Sequence, residues 1–487
     1  MHIKFNDKIK LENNENKTLN KLPSLWVSLI PVMALLLAIV IIIIKSGAET
    51  AQAVSHYILL GAAVLTAFMA KLFYRCPWHQ LWLGLKQSAS QILPAIPVLA
   101  LIGAVSASWM MGGVVPVLID YGIEVINPSL FLFLTCAVCS IVSVISGSSW
   151  TTIATIGVAF MGIGTVMGYE PGWIAGAIIS GAYFGDKVSP LSDTTVLASS
   201  TCGVDLFAHI KYLMITTIPS MIIALAVFFV AGMVHNETQF VKSHEIVTYL
   251  HSSFNLTPWV LIVPLVTCVL IVMRVNTLVT LSVSSILGLV SMFLFQPQIA
   301  MALGGNWLMT SLDVMLTETN LETGNDLLNT LVATGGVEGM MPTIYLVLCA
   351  MIFGGMMLGS GMIASITRSF TRRLQSTVSV VSATVGSGLF FNSCTGDQYL
   401  SIILGGNVFK NIYQRNGIDP RVLSRAIEDS VSVTSVLYPW NSCGVTQSTV
   451  LGVATLTYLP YCVFNYVSPV MSIIVAWLGY RILLLKK

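Results

Sequence analysis

From Leu25 to Ile44 the chain reads LWVSLIPVMALLLAIVIIII, twenty residues without a charged side chain. At about 1.5 Å of rise each, they reach across a hydrocarbon core of about 30 Å. Apolar spans recur near 26–44, 53–74, 93–118, 172–200, 208–232, 257–273, 277–295, 342–365, 421–455 and 459–483. Two more regions, 129–166 and 377–412, are apolar but broken at mid-length by SGSSW and NSCTGD. Each half of these regions has roughly 15 to 18 residues, short for a crossing, and the Gly, Ser, Thr and Asn at the breaks end helices. They read as re-entrant hairpins. The pattern therefore predicts an all-α polytopic membrane protein with about ten transmembrane helices and two re-entrant hairpins.

Composition agrees with that medium: 55% of residues are hydrophobic and 9% charged, against about 25% charged in soluble proteins. Charge then supplies an orientation, because cytoplasmic loops collect Lys and Arg. With the N-terminus inside, twenty of the 23 basic residues fall on the interior side. Lys45 and Lys242 lie outside and Lys187 lies within the membrane, while loop 296–341 has five acids and no Lys or Arg. Both termini are expected in the cytoplasm, after a solvated tail over 1–24. The stretch before Leu25 is polar and no small-residue cleavage site follows the first span, which reads as a retained helix. The nine cysteines sit mostly in apolar runs, and Cys136 with Cys139 reads as a pair of small buried residues rather than a redox or metal motif.

The two broken regions are copies. From Gly147 to Val204 the sequence aligns without a gap to a segment 249 residues later, pairing Gly147 with Gly396, Gly168 with Gly417, Pro171 with Pro420, Pro190 with Pro439 and Gly203 with Gly452. Each half then holds five crossings and one hairpin, and an odd number of crossings inverts the second copy. The expected organisation is a first inverted repeat over 25–235 (hairpin 129–166, broken helix 172–200), an extracytoplasmic linker over 236–256, and a second repeat over 257–487 (hairpin 377–412, broken helix 421–455). Inverted repeats of this kind place substrate at the midplane between discontinuous helices.

The stretch YFGDKVSPLSDTT, residues 183–195, puts Asp186, Lys187 and Asp193 around a proline inside the membrane. Pro190 and Pro439 lack an N–H and strip the carbonyls of Asp186 and Ser435 of their helical partners. Broken backbone at this depth is tolerated where protein or a wet cavity surrounds it. Asp186 and Asp193, at i and i+7, share a helix face to first order with the hydroxyls of Ser189, Ser192 and Thr194 nearby. Hard oxygens without Cys or His ligands suit a small hard cation, Na+ with Li+ as the second candidate. The copies differ in charge: Asp186 and Asp193 face Ser435 and Ser442 as twins, and Asp397 faces Ser148. This points to an ion site at Asp186, Asp193 and Asp397, with hairpin tips 146–149 and 392–397 meeting near the centre. Lys187, Ser148, Ser149, Glu428 and Asp429 are pathway or gating candidates. Burial raises a carboxylate's pKa and a neighbouring cation lowers it, so a carboxylate tuned toward neutrality holds either a proton or sodium, and that competition couples opposed fluxes.

At these residues the chain resembles a known family: GDKVSPLSDTT, NSCTGDQYLSIILGG and EDSVSVTS with PWNSCG are similar to the signatures of NhaC-type sodium/proton antiporters. The resemblance implies a bacterial inner-membrane carrier, not an enzyme, working by alternating access without a cofactor. It brings Asp186, Ser189, Pro190, Asp193 and Thr194, then Asn392, Thr395, Gly396 and Asp397, then Glu428, Asp429, Pro439, Asn441 and Ser442 into the site. The same family includes exchangers of small organic acids such as malate and lactate, coupled to sodium and protons, and that is the alternative function; Lys187 as the one obvious intramembrane cation argues against it. Expected partners are Na+ or Li+, H+, the lipid bilayer, small carboxylates on the alternative reading, and a second copy in a homodimer, but no nucleic acid. An intramembrane serine protease would need a base in the bilayer, and the seven histidines fall in tails, loops or span ends. A passive channel would not need inverted discontinuous helices.

Overall fold

The computed structural model describes residues 23–234, 248–321, 323–324, 328–329, 332–371 and 374–485. Most of the expected tail 1–24 and of the linker 236–256 lies outside the described residues. The described chain is helical, with two isolated β-bridges and no strand among these residues. Nine of its helices are long and apolar enough to cross a membrane, or ten if the bent pair Thr455–Tyr461 and Val463–Trp477 is one span. Large apolar side chains on them, such as Leu37, Val64 and Ile222, stay exposed, as a lipid-facing surface requires because lipid tails are as apolar as leucine.

Helix α1 (Leu25–Tyr74) breaks at Gly47, whose φ of 86° separates the two expected spans. The expected span 93–118 differs: α2 (Trp78–Ile92) and α3 (Ala95–Met111) together form one candidate span, Trp78–Met111, and a separate helix follows at Val114–Val125. Polar residues from His79 to Gln91 hide α2 from a hydropathy scan. It is held instead by close packing: a side chain on Gly84 would fall 2.3 Å from the Gly355 carbonyl oxygen, an approach that small residues permit between membrane helices.

The first broken region forms α4 (Phe131–Ser146) and α5 (Ser149–Val166). It is followed by α6 (Pro171–Val188), α7 (Asp193–Cys202) and α8 (Leu206–Val234). After α9 (Thr277–Phe295) comes α10 (Met341–Gly359), and the second broken region forms α11 (Thr377–Thr395) and α12 (Gln398–Arg415). Then come α13 (Pro420–Ile427), a π-helical turn over Glu428–Ser432, α14 (Ser442–Leu451) and α15 (Val463–Trp477). The halves of the broken regions span 16 to 19 residues.

The 249-residue offset is written into the backbone. Gly147 and Gly396, Gly168 and Gly417, and Gly203 and Gly452 all have φ between 66° and 80°, the left-handed conformation in which glycine has no Cβ penalty. Pro171 and Pro420 each begin a helix, capped by Glu170 and Asp419 positions in extended conformation. Both hairpin tips repeat the same hydrogen bonds. The Ser148 hydroxyl accepts from Thr151 N at 3.2 Å, as the Asp397 carboxylate accepts from Leu400 N at 2.9 Å. Ser146 and Thr152 hydroxyls meet at 3.1 Å, as those of Thr395 and Ser401 meet at 2.8 Å.

Candidate functional site

Asp186 sits in the last turn of α6, before the helix opens at Ser189 to Ser192 and restarts at Asp193. The break comes at Pro190 because its ring cannot continue the helix. The chain ahead of α7 is turned so that the carboxylate of Asp186 meets the first hairpin tip. Ser149 donates to Asp186 Oδ2 from its hydroxyl at 2.6 Å and its N–H at 3.2 Å, and the Ser192 hydroxyl donates to Oδ1 at 2.5 Å. Ser192 also meets the Thr194 hydroxyl at 2.9 Å. The Thr195 hydroxyl lies 3.3 Å from the Asp186 carbonyl and 3.1 Å from that of Lys187, partly replacing the backbone bonds removed at the break.

Asp186, Asp193, Thr194 and the tip residues Ser146 to Ser148 line one cavity of about 570 Å³ with Trp150, Gln398 and Tyr399. Among its described lining residues there is no Lys or Arg. Asp193 is exposed at its wall. The two aspartates meet this space across a backbone break, not along a continuous helix face as the i and i+7 spacing suggests.

The three aspartates do not gather into one metal-ligating group among the described residues. Asp397 is buried, and its carboxylate is occupied in capping its own helix at Leu400 N, with the Ser442 hydroxyl 3.3 Å away. What reaches the cavity from the second tip is the next residue, Gln398. Its Oε1 accepts the Ser435 hydroxyl at 3.2 Å, and these two are the 249-offset twins of Ser149 and Asp186. The offset thus identifies Gln398, which reading charges alone missed; Ser192, Thr195 and Tyr399 were likewise absent from the expected set, although Ser192 was visible as a neighbouring hydroxyl.

The remaining candidates hold the site's frame. Ser189 donates to the Val144 carbonyl at 2.8 Å, tying the first break to α4. Asn392 donates to the Val431 carbonyl at 2.7 Å and to Thr434 at 3.1 Å; Asn441 caps α14 and donates to the Asn392 carbonyl at 3.3 Å. Thr395 bonds within its own tip, to the Asp397 carbonyl at 2.9 Å. Pro439 lies in the second break, between Leu437 and Asn441.

Lys187 points away from the cavity. Its ammonium is fully buried, paired with Asp429 and bonded to Ser468 at 2.8 Å, and Asp429 also accepts from Thr216 at 2.9 Å. This ion pair joins the two broken helices to α8 and α15. Arg425, buried as well, stacks on Tyr212 at 4.7 Å with its Nε 3.9 Å from Asp429. Glu428 and Asp429 lie in the π-helical turn, a distortion frequent at functional sites. His209, which the sequence puts at a span end, is buried here too and bonds Ser424 at 2.8 Å.

A helical membrane protein with two copies of a hairpin and a broken helix, and a half-buried carboxylate where hairpin tip meets break, has the architecture of a secondary transporter. Comparison with known proteins narrows the class. The profile of the Na+/H+ antiporter family matches residues 4–212 and 181–480, and the chain belongs to that family. It is 36% identical to the Na+/H+ antiporter NhaC of Alkalihalophilus pseudofirmus, over 91% of this chain and 95% of that protein. To the NhaC of Bacillus subtilis it is 33% identical over 87% and 92% of the two chains. The malate-2H+/Na+-lactate antiporter of Bacillus subtilis is 35% identical over 80% of this chain and 81% of its own.

Proposed function

We propose that this protein exchanges Na+, and Li+, for H+ across a bacterial cytoplasmic membrane by alternating access, with both termini in the cytoplasm and the two copies running in opposite directions through the bilayer. The observation that carries this is the Asp186 carboxylate, held at the first hairpin tip by Ser149 and Ser192 and facing a cavity lined by Asp193 and, among the described lining residues, by no cationic side chain. A dehydrated sodium ion takes oxygen ligands, and Asp186 with the hydroxyls of Ser149, Ser192 and Thr194 supplies them from two elements that move apart if the hairpin shifts. Proton and sodium compete for the same carboxylate, so loading one releases the other. Asp193 at the cavity wall attracts cations toward the site, and Gln398 closes it from the second copy. Asp397, Ser442, Asn392, Thr395, Asn441 and Ser189 set the geometry of tips and breaks, while Lys187 and Asp429, with Glu428 beside them, hold the two broken helices together.

The names of the NhaC relatives support this substrate pair. The malate and lactate exchanger among the relatives supports a second reading, transport of small carboxylates with sodium and protons. A carboxylate substrate in this cavity would confront Asp186 and Asp193 without a lysine or arginine on the described wall, which favours the cation. The test is a pH-sensitive dye inside proteoliposomes, with Na+, Li+, K+, malate and lactate added separately. The proposal expects proton flux with Na+ and Li+ and none with K+ or with either acid as its potassium salt; flux that requires malate or lactate would overturn it.

A further inference from the structure

A groove of about 470 Å³ runs along the second half of α1 and shares no lining residue with the cavity at Asp186. Leu60, Ala63, Val64, Ala67, Phe68 and Lys71 line it from α1, a spacing that keeps them on one face of the helix. Ile352 and Met356, one turn apart on α10, form the opposite wall, and Trp78 at the start of α2 closes one end. Side-chain size gives the groove its depth. Ala63 is buried and Ala67 half-buried at its floor, while Val64 and Phe68 stand exposed at its edge.

From Leu60 to Lys71 the groove follows the helix for about 16 Å at about 1.5 Å per residue, roughly half of a hydrocarbon core of about 30 Å. It is therefore about one leaflet deep. Its lining is apolar except at the closed end, where Lys71 Nζ lies 4.5 Å from the centroid of the Trp78 ring. Lysine and tryptophan are the side chains that settle at the headgroup level, with apolar stems in the tails and polar ends in water. Arg75, exposed, caps α1 one turn further on. Neither Lys71 nor Arg75 forms an ion pair among the described residues. The segments that build the groove offer no acid: between Glu49 and Asp120, and between Glu338 and Asp397, the chain has no Asp or Glu.

We infer that this groove is a binding site for an anionic phospholipid, of the phosphatidylglycerol class: one acyl chain lies over Ala63 and Ala67 between α1 and α10, and the phosphate meets Lys71 and Arg75 at the interface. On the orientation proposed above, this lipid belongs to the cytoplasmic leaflet. Charge favours a lipid over a symmetric dimer, because a two-fold contact presents the same patch twice and would set the Lys71 and Arg75 of one copy near those of the other. The bound chain ties α1 to α10, the helix that also packs on the second hairpin tip, where a side chain on Gly354 would fall 2.4 Å from the Thr395 carbonyl oxygen.

The experiment is native mass spectrometry of the full chain, delipidated in detergent and given equal amounts of phosphatidylglycerol and phosphatidylcholine with the same acyl chains. The parent is expected to retain phosphatidylglycerol in preference. Lys71→Gln should weaken that binding about fivefold, the worth of one lysine beside an anionic lipid, and leave phosphatidylcholine unchanged. Ala67→Phe, which fills the groove, should lose both lipids. Lys211→Gln, at an exposed lysine outside the groove, serves as the control and should bind as the parent does. Equal retention of the two lipids by the parent, or phosphatidylglycerol binding by Lys71→Gln or Ala67→Phe as tight as the parent's, overturns the site. A parent dimer that Ala67→Phe splits also overturns it and gives the groove to a second copy. Thermal unfolding verifies that each variant is folded, and Lys71→Gln decides alone if Ala67→Phe is not. Binding is read without transport, so this result stands or falls separately from the ion assignment.

Discussion

Ser149→Ala isolates one contact at the centre of the account. The substitution removes a hydroxyl that lies 2.6 Å from Asp186 Oδ2 and leaves the backbone N–H at 3.2 Å and the Ser192 hydroxyl at 2.5 Å in place. On the proposed function that oxygen ligates sodium in the ion-loaded site, and in the empty site it donates to the half-buried Asp186 carboxylate. Hydrogen bonds to charged groups are worth about 1.5–3 kcal/mol. At about 1.4 kcal/mol per tenfold, the half-saturating Na+ concentration for exchange is expected to rise about 10- to 100-fold, toward the lower end because two donors remain. Ser149→Thr, which keeps the hydroxyl, should recover most of the loss. Ser140→Ala serves as the control, since that hydroxyl only returns to its own helix at the Cys136 carbonyl, 2.7 Å away. The assay is dye dequenching in proteoliposomes over a Na+ series, with thermal unfolding to verify that each variant is folded. A half-saturating concentration for Ser149→Ala within twofold of the parent would refute the assignment of Ser149 as an ion ligand.

Two further substitutions probe the frame. Lys187→Met leaves Asp429 buried without its ammonium and should destabilise the protein by about 3–5 kcal/mol, while Lys187→Met with Asp429→Asn should recover a large part of it; thermal unfolding in detergent reads both. At the end of the second hairpin, Asp419 caps α13 and takes two side-chain bonds from Arg421, at 2.9 and 2.8 Å, which hold its carboxyl below the ordinary value. Asp419→Ala should lose about 0.5–2 kcal/mol of cap stabilisation. Because the folded-state pKa is the lower one, that contribution is present above about pH 4 and disappears as the pH falls through the carboxylate range, so parent and variant should converge in acid.

The apolar runs and the prolines made the helices, both breaks and the duplicated geometry legible, because a proline or a tip glycine constrains backbone wherever it occurs. Span 93–118 was misplaced because α2 is held by a glycine contact with α10, which hydropathy does not register. The charge of Asp186 inside an apolar run made it a candidate, and the structure places it on the cavity wall. The grouping of Asp397 with it could not be judged from charge, since a carboxylate at a helix start serves equally as a cap. Gln398 shows the converse: an uncharged residue attracts no notice until the offset pairs it with Ser149. Lys187 was ambiguous for a related reason, as its partner Asp429 comes from the other copy, 242 residues away.

The most direct measurement is Na+-driven proton flux in proteoliposomes holding the parent protein or Asp186→Asn, each confirmed folded. The parent should acidify or alkalinise the lumen according to the direction of the sodium gradient, and the variant should show no sodium-dependent change at any pH tested. Normal exchange by Asp186→Asn would contradict the claim that this carboxylate is where proton and sodium trade places.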